Sequence, residues 1–135
     1  MTKIKGKVVW ITGASSGIGE ATAKAMASMG AKLILSARRL EELRRVQGEI
    51  DKDNVAILPL DLADTDSFAG KCQEAISFFG GVDILFNNGG ISQRGFARES
   101  SLSVYRQIME VNFFGNIGLT LALLDHLRKR KGHVV

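Results

Sequence analysis

The stretch from Val8 to Glu20, VVWITGASSGIGE, constrains this chain more than any other. Val8 to Ile11 is continuously apolar, which suits a strand covered on both faces, as in a parallel sheet. The run breaks into glycine, and from Gly17 the period becomes helical. Ile18, Ala21, Ala25 and Met29 mark the expected apolar face, and Gly30 stands at the C-terminal end. Such a turn between strand and helix suits a phosphate: glycines let backbone N–H groups approach, and the helix N-terminus carries partial positive charge. A plain tight turn, with glycines serving only packing, is the alternative.

The same alternation continues downstream. Leu33 to Ser36, Val55 to Leu58 and Val82 to Phe86 read as further strands. Between them, Leu40, Leu43, Val46 and Ile50 mark one helix. A second is capped by Asp64, buries Phe68, Cys72, Ile76 and Phe79, and stops at Gly80-Gly81. A long helix begins near Ser100 or Ser101 and closes at Gly132, and a fifth strand opens at His133-Val134-Val135. The pattern predicts one α/β domain over residues 1–135, a doubly wound parallel sheet.

Composition excludes several function classes. Eighteen Lys and Arg against 14 Asp and Glu leave a net charge of +4 spread along the chain, so no nucleic-acid partner is expected. Arg128 to Lys131 reads as cations at a helix C-terminus. With one cysteine, Cys72, on a buried helix face, no intrachain disulfide can form. No signal-peptide core is visible and no uninterrupted apolar run reaches about 18 residues. A soluble protein of a reducing, cytoplasmic compartment, without a membrane partner, is expected. His126 and His133 stand alone, so no metal is expected. Glu20 and Asp83 read as solvated ends of their elements.

Thr12-Gly13-Ala14-Ser15-Ser16-Gly17-Ile18-Gly19 spells T-G-x-x-x-G-x-G, which differs from the common G-x-G-x-x-G and resembles the short-chain dehydrogenase/reductase family. Three further stretches resemble that family in the same order: Asp61-Leu62 after the third strand, Asn87-Asn88-Gly89-Gly90 after the fourth, and Asn112 in the long helix. The loop from Gly89 to Arg94 resembles the family's member 7 branch. The resemblance implies a Rossmann-like sheet of order 3-2-1-4-5, cut short at the start of the fifth strand, and an NAD(P)-dependent oxidoreductase. It implies a pyrophosphate against Gly13, Ser15, Ser16, Gly17, Ile18 and Gly19. It implies an adenine contact at Asp61-Leu62, a ribose near Asn88, Gly89 and Gly90, and Asn112 helping to hold a water of the proton relay. The family usually has alanine where Gly89 stands, so a slightly looser backbone is expected there.

Cofactor choice follows from charge. NAD enzymes generally place an acid at the end of the second strand, about 20 residues past the turn, to bind the ribose hydroxyls. Here that place reads Ser36-Ala37-Arg38-Arg39, with no acid before Glu41. Guanidinium groups there favour a 2′-phosphate, so NADP (NADPH) is expected and NAD is the lesser candidate. Arg38 and Arg39 as an ordinary solvated helix start is the competing reading.

The family's chemistry needs a serine, a tyrosine and a lysine four residues after the tyrosine. The single tyrosine, Tyr105, is followed by Met109 and precedes Asn112, so it does not fill the role. The 135 residues are expected to bind cofactor without turning over a carbonyl or alcohol substrate. A non-catalytic nucleotide-binding or interaction module is the second reading. Leu119, Leu121, Leu123 and Leu124, with few covering elements, favour a homo-oligomer.

Overall fold

The computed structural model describes residues 4–135. Five parallel strands, β1 (Val8–Thr12), β2 (Lys32–Ser36), β3 (Val55–Ile57), β4 (Ile84–Phe86) and β5 (His133–Val134), lie in the order β3-β2-β1-β4-β5. The order and the parallel register match the expectation, and β5 pairs with β4 through Ile84 and Leu85. Between the strands run α1 (Gly17–Ser28), α2 (Leu40–Gly48) and α3 (Phe68–Phe79). After β4 come α4 (Leu102–Met109), a π-helical segment (Glu110–Gly115) and α5 (Asn116–Arg130).

Alternation along the strands splits the core in two. Val9 and Ile11 of β1 join Leu33 and Leu35 of β2, and meet Ala23 of α1 and Leu43 and Val46 of α2. Val8 and Trp10 point the other way, with Ile34 and Leu85, onto Phe68, Cys72 and Ala75 of α3 and Leu119, Leu123 and Leu127 of α5. The runs Val8–Ile11 and Leu33–Leu35 are therefore apolar at every position, because successive side chains feed opposite layers. Trp10 is fully buried; its indole N–H donates to Ser36 Oγ at 2.8 Å, and that hydroxyl donates to the Leu58 carbonyl at 2.6 Å. One polar thread thus crosses β1, β2 and the end of β3 with its buried donors satisfied.

Several local expectations change. On α1 the expected inner face is the outer one: Ile18, Ala21, Ala25 and Met29 are all exposed, while Gly19 and Ala23 are buried. Gly19 is buried against the Gly13 carbonyl, where a Cβ has no room, and Ala23 packs into the core with β1 and β2. The long helix is not uniform, since the π segment interrupts it, and after Arg130 it is closed by Lys131 in the left-handed region (φ +51°) instead of by Gly132. Gly132 is needed for approach: a Cβ there would stand 2.6 Å from the Asp83 carbonyl oxygen. Leu119 and Leu123 are buried beneath α3, whereas Leu121 and Leu124 are exposed. The helical run Leu102–Arg130 is long and apolar enough to cross a membrane by length and composition alone, yet its Leu119, Leu123 and Leu127 row belongs to this domain's core.

Asp83 is not a solvated end. It is 6% exposed, accepts the Val8 N–H at 2.9 Å, and takes Arg130 Nε and Nη2 on one oxygen at 3.0 and 2.9 Å. Gly81 lies flat under that guanidinium, where a Cβ would come within 2.8 Å of Arg130 Cζ. Nearby, His126 Nε2 accepts the Val82 N–H at 2.9 Å, and burial together with Arg130 pushes its imidazole below the ordinary value. The end of α5 is therefore stapled to the entry of β4 and the first residue of β1. Burial pulls the Asp83 carboxyl upward, but the Val8 bond and the Arg130 guanidinium outweigh it and hold the group below its ordinary 3.8. Its stabilisation is present above that value and disappears as pH falls through the lower folded value. Arg130→Met should therefore cost about 1–3 kcal/mol in urea unfolding at neutral pH. The gap from wild type should narrow as the pH drops below 3.8.

Candidate functional site

The C-terminal ends of the strands open onto a cleft of about 380 Å³. It lies between β1 and β4, where successive connections turn to opposite sides of the sheet and open α/β sheets bind ligands. Thr12, the last residue of β1, is 1% exposed and holds the cleft's two walls together. Its hydroxyl accepts the N–H groups of Asn88 and Gly89, at 3.1 and 2.9 Å, and donates to the Phe86 carbonyl at 3.4 Å. Asn88 returns the contact: its Nδ2 donates to the carbonyls of Thr12 and Gly13, each at 3.2 Å.

The glycines of the turn have distinct jobs. Gly13 (φ +64°) and Gly17 (φ +56°) occupy the left-handed region, which L side chains avoid. A Cβ on Gly13 would also meet Gly89 Cα at 2.8 Å. Gly19 has ordinary backbone but no room, since a Cβ would overlap the Gly13 carbonyl oxygen and stand 2.6 Å from Asn88 Nδ2. Nothing lies within 4 Å of a Cβ built on Gly17. Ser16 is the N-cap residue of α1 but makes no side-chain cap bond, which leaves the first-turn N–H groups to an anion. These features fit a phosphate group.

Arg45 of α2 braces the turn from behind. One Nη2 reaches the Ser15 carbonyl at 3.2 Å and Glu20 at 2.8 Å, while its other nitrogens bind Glu42 and Glu49. Glu20, expected as a solvated end, is thus held between Arg45 and Lys24, whose hydrogen bonds pull its carboxyl down to about 2. Arg38 and Arg39 are exposed and line the cleft beyond β2. Glu41, the first acid after them, pairs with Arg44 at 2.8 Å.

Asp61 lines the cleft with its Oδ1 accepting the Ala63 N–H at 2.9 Å, so the carboxylate is tied into its own turn. Leu62 beside it is 7% exposed. The Gly89 N–H is held by the Thr12 hydroxyl at 2.9 Å. A Cβ there would come within 2.6 Å of Leu62 Cδ1, so Leu62 occupies the space that a methyl would need. Asn112 sits in the π segment and clamps the loop after β4: its Oδ1 accepts the Ile91 N–H and its Nδ2 donates to the Ile91 carbonyl, both at 2.8 Å. Its own carbonyl accepts Asn116 Nδ2 at 2.9 Å.

Of the residues expected from sequence, Gly13, Ser15, Ser16, Ile18, Arg38, Arg39, Asp61, Leu62, Asn88, Gly89 and Gly90 line the cleft together. Gly17, Gly19 and Asn112 do not line it: Gly17 is exposed at the start of α1, Gly19 is packed against Gly13 and Asn88, and Asn112 holds Ile91. Thr12, Ser36, Ala37, Leu60, Ile91 and Val111 line it and were missed. Thr12 opens the glycine motif and so carried a signal; Leu60, Ile91 and Val111 carried none beyond being apolar. Tyr105 is half exposed on α4, and Cys72 is buried with its thiol pushed up to about 11. Among the described residues, no three His, Cys, Asp or Glu side chains form a metal-binding group.

Residues 7–135 match the model of the short chain dehydrogenase family. The chain is 45% identical over 130 residues to human dehydrogenase/reductase SDR family member 7, covering 92% of this chain and 38% of that protein. It is 46% identical over 140 residues to the family protein 7-like of Anopheles gambiae, covering 98% and 44%. It therefore spans about two-fifths of the length of these curated relatives. A short chain dehydrogenase/reductase from Burkholderia phymatum, solved in complex with NAD, superposes with a TM-score of 0.91 at 30% identity over 99% of this chain and 49% of that one. A 3-ketoacyl-(acyl-carrier-protein) reductase from Brucella melitensis, complexed with NADH, gives 0.88 at 35% identity, covering 93% and 52%. The glycine turn, the sheet order and these matches agree: the chain belongs to the short-chain dehydrogenase/reductase family, in its member 7-like branch.

Proposed function

We propose that the cleft binds a nicotinamide dinucleotide bearing a 2′-phosphate, and that the protein is an oxidoreductase moving a hydride between that cofactor and a carbonyl or alcohol. The observation that carries the cofactor choice is the pair Arg38–Arg39 on the cleft rim, with Glu41 engaged by Arg44. Two guanidinium groups can give several charge-assisted bonds to a phosphate, and no carboxylate of that stretch competes for the ribose hydroxyls. The solved relatives named above carry NAD and NADH, so the preference for NADP rests on these arginines of this chain alone.

The turn from Gly13 to Gly19 would hold the pyrophosphate, Arg38 and Asp61-Leu62 the adenosine end, and Asn88 to Gly90 the nicotinamide ribose. When bound, the dinucleotide supplies or accepts the hydride. Thr12, Asn88 and Arg45 hold the binding loop in place, and Asn112 fixes Ile91 at the end of the cleft where the substrate would enter. The 135 residues contain no Tyr-x-x-x-Lys, so proton transfer to the substrate oxygen has no donor of the family's kind among them. Met109 four residues after Tyr105 is also the observation that favours the second reading, a nucleotide-binding module without chemistry. Hydride transfer separates the two. The exposed apolar row Phe113, Ile117, Leu121 and Leu124 on the long helix further supports a homo-oligomer.

NADPH should bind about tenfold more tightly than NADH, a difference of about 1.4 kcal/mol, in a fluorescence titration of reduced nicotinamide. Replacing Arg38 and Arg39 together with glutamate should invert that order; equal affinities in the unaltered chain would overturn the cofactor assignment. The purified 135-residue chain should consume no NADPH over a panel of carbonyl compounds. A rate that survives removal of contaminating reductases would show that another group donates the proton. In light scattering the chain should run larger than a monomer, and a sharp monomer peak at high concentration would refute self-association.

A further inference from the structure

We propose that His126 is a proton-operated latch: in its neutral form it fastens the end of α5 to the entry of β4, and on taking a proton it lets go. This is a property of the fold and does not depend on what the cleft holds. The geometry is a pair of clasps. His126 and Arg130 stand four residues apart, so both project from one face of α5. They grip two consecutive residues: His126 Nε2 accepts the Val82 N–H at 2.9 Å, and Arg130 is bound to the Asp83 carboxylate. Val82 is fully buried, so solvent does not offer its N–H a substitute.

That hydrogen bond dictates the state of the ring. A nitrogen that accepts carries no proton, so neutral His126 holds its one ring proton on Nδ1. A second proton can go only to Nε2, the atom that faces the Val82 N–H. Protonation therefore sets two donors against each other and strips a buried N–H of its acceptor. It also places a cation beside Arg130 and Lys129 of the same helix. Asp83 at the β4 entry is the charged group that favours the proton, but it is already engaged by Arg130 and the Val8 N–H, and Lys7 ahead of β1 acts on it too. The last turn of α3, Ile76 to Phe79, brings no charge. Burial and Arg130 thus hold the imidazole below its ordinary 6.5. Because the folded ring takes a proton less readily than the unfolded chain, its contribution is complete above about 6.5 and is lost as the pH falls toward the lower folded value.

What yields is the last turn of α5 with its link to β5. Among the described residues Lys131 is the one non-glycine with a positive φ, +51°, so the fastened state holds backbone that a lysine disfavours. Two residues on, the His133 N–H is bonded to the Asp83 carbonyl at 2.9 Å, so release at Val82 reaches the start of β5.

The deciding experiment is urea unfolding of the 135-residue chain between pH 8 and 5, for the unaltered protein, His126→Gln and His133→Gln. A glutamine amide oxygen can take the place of Nε2 as acceptor and does not titrate. Glu20, held down to about 2, and Asp83, below 3.8, stay ionised across this window. In the unaltered chain the unfolding equilibrium constant should rise about tenfold from pH 8 to 5. His126→Gln should cut that rise to about twofold or less, while His133→Gln, altered at an exposed position of β5, should keep it. An undiminished rise in His126→Gln would overturn the proposal. If that variant does not fold, the unaltered chain decides by itself. Nitrogen NMR of the imidazole at pH 8 should show a protonated Nδ1 and an unprotonated Nε2. Exchange of the Val82 amide, corrected for its intrinsic pH dependence, should speed up about tenfold by pH 5. An Nε2–H ring, or a Val82 amide whose protection does not change, would refute the latch.

Discussion

The Thr12 hydroxyl is where the molecule becomes a binding protein instead of a bare sheet. β1 and β4 are parallel neighbours, and past their last paired residues nothing in the ladder holds them together. A side chain that accepts two N–H groups and donates to a carbonyl closes that gap from a 1% exposed position. With Asn88 answering from the other side, the glycine turn is carried on both strands at once. Hydrogen bonds from both strands thus fix the cleft's floor before a ligand arrives, which lowers the cost of ordering the site on binding.

Much of this was legible because parallel strands advertise themselves. Runs such as Val8 to Ile11 and Leu33 to Leu35 are apolar at every position, and each reads correctly as a strand, the first as one covered on both faces. The glycine turn was legible for a similar reason: left-handed backbone at Gly13 and Gly17 and contact distance at Gly19 leave few alternatives to glycine. What could not be read was anything decided by small residues or by distant partners. On α1, hydropathy points to Ile18 and Met29, yet the buried positions are Gly19, crowded by the Gly13 carbonyl, and Ala23, which a hydrophobicity pattern ranks low. Asp83 looks like a loop acid until Arg130, 47 residues away, is brought against it. Gly89 looked permissive for the same reason, since the leucine that fills its space lies far off in sequence.

The two ends of the sheet are organised on opposite principles. At the cleft end, charge is deployed at the surface: Arg38 and Arg39 stand in solvent, and Arg45, Lys24, Glu20, Glu42 and Glu49 form an exposed lattice behind the turn. Such pairs contribute little individually to stability, so their worth lies in orienting a backbone carbonyl at Ser15. At the other end a single carboxylate, Asp83, is buried and saturated, and it locks strand, turn and helix together. Exposed charge near the ligand and buried charge away from it are thereby kept in separate places.

The π segment acts as a phase shifter. Each residue of an α-helix turns the chain by about 100°, so one additional residue in a turn rotates everything after it by that angle. The segment Glu110–Gly115 thus lets the outward row of α4, Leu102, Tyr105 and Met109, precede an α5 whose Leu119, Leu123 and Leu127 face inward. Excising one residue there would be worse than almost any exchange of side chains. The downstream helix would present a different meridian to the sheet, and the Asn112, Asn116 and Thr120 amide and hydroxyl contacts to the loop after β4 would lose their register together.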